Sequence, residues 1–310
     1  QQVEKFYETL YIERWNVEIM REIFASIPSV MMWDDHDIFD GWGSHPEDIQ
    51  QCEVYQAIFE IASRYFELFQ IRSARNASLL APGANHHAFS VSFREQHILG
   101  LDNRAERTLR QVMSDDQWSA VIDELDTITS GNLIVLSGVP VVYRDFSATE
   151  AMFDATPWEE ELTDDLKDHW RSKEHEGERA RLIMNLLKNS RENRPDDRTV
   201  ILSGDVHVGC LGAINDTRES PSVKIHQVVS SGIVHPSPGA FAWFGILAAT
   251  NDRTEFLNEE KTIEINMLKP YGSDTYIRTR NFATLEQGTD GKLWVNWVCD
   301  ADIRPNYPLA

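Results

Sequence analysis

Thr199-Val200-Ile201-Leu202-Ser203-Gly204-Asp205-Val206-His207 reads as a buried strand that stops abruptly in a carboxylate and an imidazole. Four apolar or β-branched residues in a row suit a strand covered on both faces, as in a sheet with parallel pairing. Open α/β sheets bind their ligands outside the carboxyl ends of such strands. A second stretch about 170 residues earlier has the same form: Ser29-Val30-Met31-Met32-Trp33 predicts a short buried strand that delivers Asp34-Asp35-His36-Asp37. Carboxylate with imidazole is the donor mixture of transition-metal sites. Each string alone also fits a turn or a helix cap. Together they point to one site.

The elements around these strings set the fold class. Residues 3–26 have the spacing of an amphipathic helix stopped by Pro28, and 53–71 of a stronger one through Tyr55, Phe59, Ala62, Phe66 and Phe69. Residues 41–46 break into a loop at Gly41, Gly43 and Pro46. Two strands, 87–93 and 97–101, form a hairpin around residues 94–96. Ser114 with Gln117 is a capping box that opens a helix to Ile128, closed by Gly131 and followed by a strand at 133–136. Residues 144–178 are acidic and polar and read as an excursion outside the core with one short helix, ahead of a helix at 179–190. Beyond it strands dominate: 207–214, 223–230, 262–268, 275–283 and 292–298. Helices early and strands late favour a layered α/β/β/α sandwich with mixed sheets. No repeat or low-complexity linker divides residues 1–310, so one domain is expected.

Composition narrows the function. The 310 residues are 42% hydrophobic and 25% charged, ordinary for a globular chain, with a net charge of −21. Such acidity, with no basic stripe, argues against a nucleic-acid partner. The longest apolar run, 240–249, is too short to span a bilayer. Cys52, Cys210 and Cys299 are few, odd in number and scattered, which fits a reducing, cytoplasm-like compartment. The first residues show neither an initiator Met nor an apolar leader, so a signal further upstream stays open. Oligomeric state is not legible.

The donors can be assigned from spacing. On extended chain, Asp205 and His207 face the same way, and with Asp35 they form the expected metal ligands. His36 would contact substrate, with Asp37 either orienting its imidazole or capping the next turn. Arg104 at a strand end is a candidate phosphate-binding group beside a structural pairing with Asp102, and His235 a candidate pocket residue. Cys210, Trp42 and Trp243 are expected to pack in the core.

These strings, with Leu101-Asp102-Asn103-Arg104 and Ser230-Ser231-Gly232, resemble the PhoD-like branch of the calcineurin-type metallophosphoesterases over roughly residues 24–305. The resemblance implies metal-dependent hydrolysis of a small phosphate ester, with a dinuclear centre of iron, manganese, calcium or zinc. It also implies Asp35, Asp205 and His207 as ligands, His36 as the transition-state histidine and Asp37 as its partner. Residues 136–140 lack the family's ligand His, and Asp205 replaces another, which makes the site richer in oxygen. Residues 1–32 hold neither the Asp-x-His nor the Gly-Asp pair of the superfamily, so the chain is expected to be the C-terminal portion of such a domain. Two other readings compete. One is a non-catalytic fragment. The other is an HD-type phosphohydrolase built on His36-Asp37, which needs that doublet on a helix with histidines from partner helices.

Overall fold

The computed structural model describes residues 1–73, 75–145, 170–230 and 232–309. Its helices are α1 (Gln2–Trp15), α2 (Glu18–Ser26), α3 (Asp35–Ile38), α4 (Glu47–Gln50), α5 (Glu53–Phe66), α6 (Asp115–Thr127), α7 (Glu176–Lys188) and α8 (Ala240–Ala249). Its strands are β1 (Phe89–Phe93), β2 (Gln96–Gly100), β3 (Asn132–Leu136), β4 (Thr199–Ser203), β5 (Gly209–Asp216), β6 (Val223–Val229), β7 (Glu255–Phe256), β8 (Ile263–Leu268), β9 (Tyr276–Ile277), β10 (Asn281–Gln287), β11 (Leu293–Cys299) and β12 (Asn306–Leu309).

The larger sheet runs β1-β2-β3-β4-β6-β5-β8-β7, with β9 pairing onto β5. β2, β3, β4 and β6 are mutually parallel, and the strands outside them pair antiparallel. β10, β11 and β12 form a separate antiparallel sheet. Alternation along β4 sorts the layers. Ile201 faces a core shared with Leu125 of α6 and Leu186 of α7, while Val200 faces Val295 and Trp297 of the small sheet. Helices therefore cover one face and a second sheet the other, as the sequence predicted.

Two features of the core carry testable energetics. Leu186 is fully buried among the strands and helices of the first layer. Leu186→Ala is expected to lower stability by about 2–5 kcal/mol through lost burial and a residual cavity, seen as a lower urea midpoint at unchanged slope. His226, buried on β6, has no hydrogen-bond partner for Nδ1 among the described residues, and burial, then Lys224, pull its pKa down from 6.5 to about 4. The unfolded chain then binds a proton that the native state refuses. This contribution to stability is present above pH 6.5 and is lost as pH falls through about 4. Urea midpoints followed from pH 7 to 4 should drop, and His226→Gln should make that drop shallower.

Several local expectations are corrected. Residues 29–33 form no strand: Val30 is 43% exposed and no described segment pairs with them. The run is apolar because Trp33 turns inward against Phe66 and His87, with its indole N–H donating to Asp102 at 2.8 Å. The helix expected over 3–26 breaks at Val17, which is extended (ψ 133°). α5 ends in a π-helical turn, Glu67–Ile71. The strand expected over 275–283 splits into β9 and the start of β10. Of the polar excursion, 146–169 lies outside the described residues, and its flanks are core: Trp170 and His175 are buried, as is Arg144. Gly131 (φ +82°) does more than close α6, because a Cβ there would lie 2.6 Å from the Glu95 carbonyl of the hairpin turn.

Candidate functional site

The carboxyl ends of the parallel strands converge. β2 runs into Leu101-Asp102-Asn103-Arg104, β3 into Ser137-Gly138, β4 into Gly204-Asp205-Val206-His207, and β6 into the segment that ends in His235. Asp102 is buried and accepts from Trp33, from the His87 N–H (2.7 Å) and from the Arg104 and Ala105 N–H groups (3.0 and 2.9 Å). Asn103 accepts from Ser137 Oγ and the Gly138 N–H, both at 2.9 Å, which ties the ends of β2 and β3 together. Gly138 lets Asp34 approach: a Cβ there would sit 3.0 Å from its Oδ1.

Asp34 caps α3. Its side chain accepts from the Asp37 N–H, and Asp37 Oδ2 accepts from the Asp34 N–H at 2.9 Å. The acidic string thus begins a helix rather than extending a strand, which changes where each residue points. Asp35 is buried, accepts from the Gly41 N–H at 2.9 Å and lies 3.1 Å from His36 Nδ1. His36 stays exposed, with Nε2 3.6 Å from Asp40. Asp37 points the other way: Gln70 donates to its Oδ1 at 2.5 Å and Tyr11 at 3.5 Å, while Tyr7 donates to the Ile38 carbonyl. Its bonds fit the capping alternative rather than an orienter of His36. Gln70 reaches it from the π-helical turn, a feature with no periodicity to betray it in sequence.

The second string is not extended either. Asp205 (φ +72°) and His207 (φ +55°) both occupy the left-handed region, and the Val206 N–H donates to the Gly204 carbonyl at 3.0 Å, a γ-turn around Asp205. Non-glycine residues held this way cost about 1–3 kcal/mol each and gather at functional sites. The turn brings Asp205 to the first string: one oxygen each from Asp34, Asp35 and Asp205 lie within 4.8 Å of one another, and Asp35, His36 and Asp40 form a second such group. Asp34 and Asp40 were not among the residues predicted from sequence; their only signal was the density of acids around His36.

Arg104 fills the middle. It is fully buried, its Nε donates to Asp34, and its Nη2 lies 3.5 Å from Asp35 and 3.4 Å from Asp205. Its guanidinium meets these three carboxylates, and its backbone N–H donates to Asp102. His207 stacks its ring on that of His235, centroids 4.0 Å apart, and His235 Nδ1 contacts the Pro236 carbonyl at 2.9 Å. Cys210, Trp42 and Trp243 are buried as expected.

Electrostatics follow from these contacts. Burial pushes the Asp35 carboxyl up, but Arg104, His36 and the Gly41 N–H outweigh it and hold the group well below the usual carboxylate range. The hydrogen bond to Asp35 raises His36 to about 9 despite some burial. Burial lowers His207, helped by His235 and His36, leaving it neutral with a ring nitrogen lone pair. Burial raises Asp37, only partly offset by its three donors.

Three close carboxylates, one of them on a strained turn at a sheet edge, form an oxygen-rich cluster that could hold a hard cation, whereas His207 belongs to neither group of close donors among the described residues. The layered fold with this edge is that of the metallophosphoesterase-like proteins. A solved structure of PhoD superposes with a TM-score of 0.60 at 16% identity, over 90% of this chain and 51% of that one. The sequence profile of the PhoD related phosphatases matches residues 1–158, just over half of the chain, and the chain belongs to that family. It is also 29% identical over 250 residues to the uncharacterized protein YGR266W of Saccharomyces cerevisiae, covering 66% of this chain and 34% of the relative. The chain thus spans about a third of that curated relative and half of the solved structure. Among the described residues no helix is long and apolar enough to cross a membrane.

Proposed function

We propose that this chain supplies part of the active site of a metal-dependent phosphoesterase acting on a small phosphate ester, with residues 1–310 as one domain. The observation that carries this reading is the meeting of Asp34, Asp35 and Asp205 oxygens within 4.8 Å at the carboxyl edge of the sheet. Asp35 and Asp205 would offer oxygen and His207 nitrogen to a dinuclear centre of iron, manganese, calcium or zinc, with Asp34 beside them. Such a centre, when bound, supplies an acidified water and neutralises the phosphoryl oxygens.

The remaining residues work on the substrate and on each other. The bond from water oxygen to phosphorus forms as the ester P–O bond breaks, and the alcohol must leave with a proton. His36, held protonated up to about pH 9 by Asp35, is exposed where it can give that proton. His235, its ring on that of His207, would line the same pocket. Arg104, fully buried, acts as counter-ion to the carboxylates rather than as a phosphate clamp. Asp37 sets the turn that carries Asp35 and His36.

The HD-type reading gains the helix it requires, but α3 is a single turn, and the histidines near His36 come from the loops after β4 and β6 instead of partner helices. Hydrolysis of p-nitrophenyl phosphate by the full-length protein tests the proposal against a non-catalytic chain. Activity that chelation removes and a returned metal restores is expected. Turnover unaffected by exhaustive chelation, or none with any of the four metals, contradicts it.

A further inference from the structure

α3, which carries Asp35 and His36, is a single turn of four residues. One turn fixes several dihedral angles for one hydrogen bond and does not hold its own shape. Its orientation therefore comes from outside, and an aromatic layer supplies it. Tyr7 and Tyr11 of α1 are buried, with Tyr11 stacked on Phe69 at a centroid distance of 4.9 Å. Tyr7 donates to the Ile38 carbonyl at the end of α3. Gln70 is buried beside them, where an amide is costly unless its donors are used. They are used: its Nε2 donates to Tyr11 Oη at 2.9 Å and to Asp37 Oδ1 at 2.5 Å. The other oxygen of Asp37 accepts from the Asp34 N–H at 2.9 Å, so one carboxylate joins Gln70 to the residue that begins the turn.

The π-helical turn sets Gln70 at this point. The Arg72 N–H donates to the Glu67 carbonyl, five residues back, at 2.9 Å, which makes the turn wider than an α-turn. Phe69 and Gln70, adjacent in sequence, both reach Tyr11 from it. The turn is itself pinned: the Trp15 indole N–H donates to the Phe69 carbonyl at 3.2 Å, and Arg72 Nε to the Gln70 carbonyl at 3.3 Å. We propose that Gln70 is a positioning residue: through Asp37 it holds α3 at the angle that puts Asp34 and Asp35 oxygens beside Asp205 and leaves His36 exposed, with Tyr11 as its backing. This rests on the phosphoesterase reading of the same site. Gln70 is argued to touch neither substrate nor cation. Arg104 holds the Asp34 side chain from the end of β2, and Gln70 holds the turn from the α1 side. Among these aromatic rings an apolar residue would pack without any polar group to satisfy, but it could not supply the two donors.

Gln70→Leu in the full-length protein at saturating manganese should lower kcat for p-nitrophenyl phosphate about tenfold or more, with KM within about twofold, the pattern of a misplaced reacting group. A double-mutant cycle reads the route: on an Asp37→Ala background Gln70→Leu should change kcat by less than about twofold. Leu186→Ala, which lowers stability in a separate core, should keep the wild-type kcat wherever it is folded. Wild-type kcat in Gln70→Leu overturns the proposal, as do losses that multiply with Asp37→Ala, or a loss of the same size in Leu186→Ala. Tyr11→Phe keeps the stacked ring and removes only the hydroxyl, so it runs the same cycle if Gln70→Leu does not fold. A loss of about threefold that disappears on Asp37→Ala is then expected, and no loss, or an independent one, overturns the proposal. Manganese affinity, read by titration calorimetry without substrate, separates the two readings. It should weaken about tenfold in Gln70→Leu, again only while Asp37 is present. Such a coupled weakening in a protein that hydrolyses no ester would sink the phosphoesterase and keep the positioning role. Hydrolysis with unchanged kcat and affinity in Gln70→Leu would do the reverse.

Discussion

Asp205→Asn in the full-length protein is expected to lower kcat/KM for p-nitrophenyl phosphate by about a thousandfold or more while leaving the fold intact. The substitution removes one negative charge from the group of three carboxylates and leaves a neutral amide oxygen, a weaker donor to any cation held there. Losing such charge stabilisation typically costs two to three orders of magnitude or more in rate. Asparagine is the informative replacement because of the backbone. Asp205 sits at φ +72°, and Asn tolerates the left-handed region better than nearly any other non-glycine residue. Its amide oxygen also preserves an acceptor for Arg104 Nη2, 3.4 Å away. The melting temperature should therefore stay within a few degrees of the wild type while metal content falls. Asp205→Ala should lose stability as well as rate. Wild-type turnover in Asp205→Asn would remove this residue from the site.

Arg104→Met is expected to be among the most destabilising single changes in the chain, by about 3–5 kcal/mol, because it leaves the buried Asp35 and its two half-buried neighbours without their counter-charge. The guanidinium is fully buried and faces Asp34, Asp35 and Asp205 together, with Asp35 itself buried. Methionine keeps much of the apolar stem, so the loss reports charge more than packing. Calorimetry with and without manganese makes the assignment specific: a bound divalent cation should recover part of the loss, and Asp205→Asn in the same background should recover part of it without metal. A fall in stability that neither changes would mean that Arg104 matters through packing alone.

How far the sequence discloses this arrangement depends on the element. β4 was legible because a fully buried parallel strand writes a continuous apolar run, and Asp205 and His207 were legible because that run stops at them. The Ser114 cap and the hairpin at Arg94 were legible from local chemistry, the Gln117 N–H bonding Ser114 Oγ at 3.2 Å; the box does not close, because the Ser114 N–H donates to Glu106 and the Gln117 amide oxygen accepts from the Asp102 N–H. Residues 29–33 misled because apolar character has two sources: here it serves one inward tryptophan and no ladder. The conformation of Asp34-Asp35-His36-Asp37 was ambiguous for a related reason, since an Asp three residues ahead of another Asp closes a helix-start box as readily as it ends a strand. The positive φ values at Asp205 and His207 have no composition signal, so the two-residue spacing implied an extended geometry that the chain does not adopt. Arg104 stood out beside Asp102 in sequence, but its partners Asp34, Asp35 and Asp205 come from two other segments that only the fold brings together. Gln70 and Tyr11 were invisible as site residues, because they act on Asp37 from a π-helical turn and from α1.

Donors from separate segments are proposed to share a cation at the sheet edge. Crystals of the full-length protein grown with manganese should show an anomalous peak roughly 2.0–2.6 Å from oxygens of Asp35 and Asp205 and a ring nitrogen of His207. No peak there at saturating manganese, with Arg104 still bonded to all three carboxylates, would contradict this proposal.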